Sequence, residues 1–164
     1  MTHLERRRGF LPATYTIDAA SDIVRVECFG VVTNQDMLDC LARLHNDPAR
    51  RPGMSSLVDC RGIERMLVTP SGIQAAVMVE VTMVDRRQPP WAVAVIAPQD
   101  DVFWMARTYE VLRAGSPESV RVFRQSRAAE RWLDTFRAEA HAAEDGAGLT
   151  ADHRRRSRSA TPPR

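Results

Sequence analysis

The chain has no lysine; all 23 of its basic residues are arginine. Such a bias fits a GC-rich coding sequence, and it also supplies the planar donor fork with which arginine holds phosphate and carboxylate. Cysteine is scarce. The three present, Cys28, Cys40 and Cys60, are odd in number, contain no Cys-x-x-Cys and match no zinc spacing. They read as buried thiols in a reducing cytoplasm, and no metal site is expected. No apolar run reaches membrane-spanning length. The opening "MTHLERRRGFLPATY" lacks the apolar region of a signal peptide. The expectations are a cytoplasmic location and no membrane span.

Motifs for catalysis are missing too. There is no P-loop, no G-x-G-x-x-G and no Ser-His-Asp order. His3, His141 and His153 fall in the terminal stretches, while His45 and Cys40, five apart on one predicted helix, point to different sides. Asp100 and Asp101 are explained by the first turn of a helix, where acids meet a favourable dipole. No catalytic residues, cofactor or enzymatic activity are expected. Two acids and a histidine converging on one pocket would reopen that question.

The charge lies at the ends. Arg6, Arg7 and Arg8 open the chain and Arg154, Arg155, Arg156, Arg158 and Arg164 close it, whereas Thr14 to Arg137 holds 15 arginines against 16 acids. A folded part so nearly neutral argues against a nucleic-acid-binding face. From about Ala138 the text becomes small, polar and arginine-rich, which predicts a tail without enough apolar surface to fold. The expected organisation is a flexible arm over residues 1–13, one domain over 14–137 and a disordered tail over 138–164.

Within the domain, "TYTIDAA" and "DIVRVECFG" alternate as a strand pair joined by a turn. Asn34 is expected to cap a helix carrying Met37, Leu38, Leu41 and Leu44. "SSLVDC" reads as a short strand running into a loop. After Thr69, the run "VMVEVTMV" alternates like a strand, but Thr69 suits an N-cap, Pro70 suits the first helical position, and Ile73, Ala76, Val77, Glu80, Val81 and Val84 form a stripe. Helix is preferred. "WAVAVIAP" is a strand buried on both faces, expected at the centre of the sheet. A helix from Asp100 to Arg113 should turn Val102, Ala106, Tyr109 and Leu112 inward, ending at Gly115. "SVRVFR" and "SRAAERWLDTF" close the domain as strand and helix. The order β-β-α-β-α-β-α-β-α predicts an α/β fold with a mostly parallel five-stranded sheet, an antiparallel N-terminal hairpin strand at its edge and helices packed on it.

The segments "GVVTNQDMLDCL", "LVDCRGIERMLVTPSGI" and "VRVFRQSRAAERWL", with Ala97-Pro98, Asp100, Phe103, Ala106, Arg107, Tyr109 and Leu112 between them, resemble the STAS domain, the sulfate transporter and anti-sigma factor antagonist fold. They are more similar still to small bacterial proteins of uncharacterised function described as STAS-like or CRAL-TRIO-like. The resemblance spans roughly Tyr15 to Phe136. It implies a regulatory or ligand-binding module acting through protein or small-molecule contacts, with a lipid or apolar-ligand carrier as the alternative and an enzyme as a third class. Antagonists of the family carry Asp-Ser-Ser/Thr-Gly with a phosphorylated serine. Here the aligned residues are Thr69, Pro70, Ser71 and Gly72, and proline has no hydroxyl, so the phosphoswitch is absent. Thr69 and Ser71 serve as helix caps on one reading. On the other, they join Gly72, Arg61 and Arg65 around an anion at the helix N-terminus. Arg107 pairs with Glu110 on one reading and, with Tyr109, lines a pocket on the other. Trp104, Thr108 and Val111 face away from the core side of their helix and are expected to meet a protein partner or a second copy.

Overall fold

The computed structural model describes residues 11–83 and 89–158, with side chains described as far as residue 143. The expected element order is found: β1 Ala13–Asp18, β2 Ile23–Thr33, α1 Asn34–His45, β3 Ser55–Leu67, α2 Pro70–Met83, β4 Trp91–Ile96, α3 Asp100–Leu112, β5 Glu118–Phe123 and α4 Ser126–Arg158. The strands lie in the order β1-β2-β3-β4-β5. β1 pairs antiparallel with β2, and every other pairing is parallel. β1 is at an edge as expected. The central strand is β3 rather than β4, however. Unbroken apolarity reports burial on both faces but says nothing about position along the sheet.

β4 shows how the alternation of side chains divides the core. Trp91, Val93 and Val95 face one side and join Ile73 of α2 and Val102 of α3. Ala92, Ala94 and Ile96 face the other and pack on Ala129 and Leu133 of α4. The small alanines let α4 lie close to the strand. The other three helices share the opposite face, where Leu44 of α1 meets Val24 and Met54. Each large aliphatic side chain buried this way contributes about 1.5–3 kcal/mol relative to exposure.

Residues 70–83 are helical, so the strand-like alternation of "VMVEV" is overridden. Gly72, Ile73, Ala76 and Glu80 are buried, which is helical spacing, while Val81 is exposed and Val84 lies outside the described residues. On α3, Val102 is buried and Ala106 and Tyr109 pack on the core. Leu112 is exposed instead, and Arg113 takes the buried place.

Two boundaries differ from expectation. β1 starts at Ala13, and residues 1–10 of the predicted arm lie outside the described residues. α4 runs to Arg158, through most of the stretch expected to be structureless from Ala138. That stretch is rich in Ala, Glu and Arg, the strongest helix formers, and reaches no proline before Pro162. A helix already nucleated against the sheet by Leu133 propagates into it. Residues 159–164 lie outside the described residues.

Candidate functional site

The start of α2 is built from two elements. Thr69 donates its backbone N–H to Asn34 Oδ1 (2.9 Å) and accepts Asn34 Nδ2 on its hydroxyl (3.0 Å). The same hydroxyl accepts the Gly72 N–H (3.2 Å) and lies 2.9 Å from Ser71 Oγ. Asn34 is therefore not the cap of α1. Thr33 takes that role, in a capping box with Asp36. A Cβ at Gly72 would fall 1.9 Å from Asn34 Oδ1, so glycine at 72 makes room for Asn34.

Of the residues in the anion-site reading, Thr69, Ser71 and Gly72 take part in this cap. The Gly72 N–H is spent on the cap and Pro70 has none to offer. Arg61 and Arg65 do not lie in a loop, because β3 extends to Leu67 beside an equally extended β2. The register slips by one residue twice, between Asp59 and Gly62 and again between Ile63 and Arg65. These bulges let the polar "DCRGIER" run as strand. At the first bulge, a Cβ on Gly62 would lie 2.9 Å from Phe29 Cβ and 3.0 Å from the Cys28 carbonyl oxygen. Arg61 folds back on Asp59, its Nη2 2.6 Å from Oδ2, and these donors hold the Asp59 carboxyl below its usual range. Arg65 is exposed opposite Val31.

On α3, Arg107 pairs with Glu110 at 2.5 Å, and Glu110 also accepts the N–H of Val122 on edge strand β5 (3.2 Å). Tyr109 does line a cavity; Arg107 does not. Trp104 and Val111 are each 65% exposed, and Thr108 is exposed between them.

The cavity lies between the sheet and the layer formed by α1, α2 and α3. It has a volume of about 180 Å³. Its walls are apolar, with Val58, Val95, Ile73, Ala76 and Ala106 among them, and all three cysteines reach it. Burial raises the Cys40 thiol above its ordinary value. Cys28 and Cys60 adjoin across β2 and β3 and share a hydrogen bond, which lowers the Cys28 thiol and raises that of Cys60.

Polar groups collect at the wall where Arg50, Glu80, Tyr109 and Glu118 reach the cavity. His45 is sandwiched: Arg50 Nη1 bonds its Nδ1, and its Nε2 lies 3.0 Å from Glu80 Oε1. The side chains of His45 and Glu80 are only 3% and 6% exposed. Beside them Glu118 Oε2 accepts from Arg113 Nε (2.5 Å) and from the Tyr109 hydroxyl (3.1 Å). Burial, followed by the negative charge of Glu80, raises the Glu118 carboxyl above the ordinary glutamate value. Burial and the Glu118 charge push the Tyr109 phenol well up. Glu80 Oε2, Arg50 Nε and, despite its closeness to Glu80 Oε1, His45 Nε2 are buried without a hydrogen-bond partner among the described residues. Sequence reasoning singled out none of His45, Arg50, Arg113 or Glu118. The available signal was Glu80, a charge in the buried stripe of an apolar helix. A buried carboxylate requires partners, and the one beside Glu80, His45, comes from α1. No group of residues suited to a metal ion occurs among the described residues, and no described helix is long and apolar enough to cross a membrane.

No family model and no curated protein matches the chain. Among solved structures it is similar to an uncharacterised protein of the DUF3478 family with a SpoIIAA-like fold, from Shewanella loihica PV-4. The two share 16% identity with a TM-score of 0.49, over 76% of this chain and 96% of the other.

Proposed function

We propose that this chain is a non-enzymatic, STAS-like binding module that accepts a small, largely apolar molecule between its sheet and the α1–α3 layer. The observation that carries this reading is the cavity of about 180 Å³. Interiors are close-packed, and voids of this size are few. An apolar cavity of about 150 Å³ already accommodates benzene. The same size weighs against the lipid carrier, since pockets for larger ligands run to about 300–1,000 Å³. Replacing Ala76, which is buried and lines the cavity, by phenylalanine should fill it. Methyl NMR titration with toluene should give saturable shifts at Ile73 and Val95 in the wild type and none in Ala76→Phe. Unsaturable or absent shifts in the wild type would overturn the reading.

His45, Glu80 and Glu118 do converge beside the cavity, which favours an acid–base enzyme as a second reading. Binding is preferred because His45 Nδ1 is taken by Arg50 and one Glu118 oxygen already takes two donors. Occupancy would be conveyed to a protein partner, or to a second copy, through the exposed α3 face of Trp104, Thr108 and Val111. Trp104→Ala is expected to change folding stability by no more than about 0.5 kcal/mol, as at other exposed sites, while weakening self-association or partner binding in sedimentation. A loss of stability of about 3 kcal/mol, typical of core tryptophans, would contradict that role.

A further inference from the structure

We infer that the ligand of this cavity is a small neutral alcohol or phenol, of about one ring in size, whose hydroxyl donates to Glu80 Oε2. The inference rests on the reading of the cavity as a ligand site and adds the chemistry of the head group. Glu80 is 4% exposed and sits on the buried stripe of α2. Glu80 lines the cavity; one of its oxygens lies 3.0 Å from His45, and the other is buried without a hydrogen-bond partner among the described residues. Protein interiors rarely leave a buried carboxylate oxygen unpaired, because the lost solvation is not recovered. Three kinds of group could donate there: a hydroxyl, an ammonium or a water.

Charge decides among the ligands. Glu80 and Glu118 are two negative charges, and Arg50 and Arg113 are two positive ones, in two neighbouring groups: Arg50, His45 and Glu80 in one, Tyr109, Arg113 and Glu118 in the other. The carboxylates and guanidiniums balance two against two. A carboxylate ligand would place a third negative charge beside two others, and an ammonium would leave an uncompensated positive one. Either imbalance is costly at low dielectric. A hydroxyl donates without adding charge.

The test is a calorimetric and methyl NMR titration of the full chain at neutral pH with four probes of one size: p-cresol, toluene, benzoate and benzylamine. p-Cresol is expected to bind at least about tenfold more tightly than the other three, the margin of a hydrogen bond to a charged acceptor. In Glu80→Met, which keeps the bulk but not the acceptor, its advantage over toluene should vanish. Equal binding of p-cresol and toluene to the wild type would overturn the hydroxyl inference while leaving the cavity as an apolar site, with water as the partner of Glu80. Tightest binding of benzylamine or benzoate would overturn the neutral head group. Failure of all four probes would remove the ligand site itself. The wild-type series decides even if Glu80→Met does not fold.

Discussion

Replacing Glu118 by alanine should destabilise the protein by about 3–5 kcal/mol, the range measured when one partner of a buried ion pair is removed. The side chains of Arg113 and Glu118 are 5% and 2% exposed and meet at 2.5 Å. Alanine at 118 would strand the guanidinium and take the acceptor from Tyr109. The pair is nonetheless not a large net source of stability. The Glu118 carboxyl is held above its ordinary value because burial and Glu80 outweigh Arg113, so the charged form is less comfortable here than in water. Arg113→Met combined with Glu118→Gln, which leaves Tyr109 an acceptor, should therefore recover more than half of the loss. The same shift fixes a pH dependence. Folded Glu118 binds its proton more tightly than the unfolded residue, whose value is near 4.5. Its contribution is thus complete below that value and is lost as pH rises through the higher folded one. Thermal melts should show the stability difference between wild type and Glu118→Gln shrinking across that window. A difference that stays flat or grows with pH would contradict the shift.

Trp91→Ala should be as damaging, costing about 3–5 kcal/mol in chemical denaturation, as buried Trp truncations do. Trp91 is 1% exposed, opens β4 and lines the cavity between the sheet and the helical layer. Its removal would enlarge a void that already exists, so little collapse would offset the loss. The contrast with Trp104 on the opposite side of α3 is the informative part. Two tryptophans in one small domain should differ in their effect on folding by several kcal/mol, and similar costs for the two would contradict the packing described.

Much of the fold is legible in the sequence because it rests on local signals. Thr69-Pro70 starts α2, the turn between Asp18 and Ile23 makes the hairpin, and "WAVAVI" marks a strand buried on both faces. The position of β4 in the sheet was not legible, since it depends on which strands pair. The extension of β3 through "RGIERML" was hidden by its polarity and arises only because β2 is equally long beside it. Thr69 marks the cap at α2 from sequence alone, whereas Asn34, expected at the start of α1 as its cap, bonds Thr69 at the start of α2. Its partner lies 35 positions away, beyond any spacing rule. The polar cluster was missed for the same reason. His45, Glu80, Arg113 and Glu118 lie on different segments, and apart from Glu80, which falls in the buried stripe of α2, each alone looks like an ordinary surface residue.

Native mass spectrometry of gently purified protein, compared with the same sample denatured, tests the binding role most directly. A small molecule retained by the native wild-type chain, released on denaturation and missing from Ala76→Phe, is the predicted result. Identical native and denatured masses for the wild type, together with no response of its cavity methyl groups to added toluene or p-cresol, would contradict it.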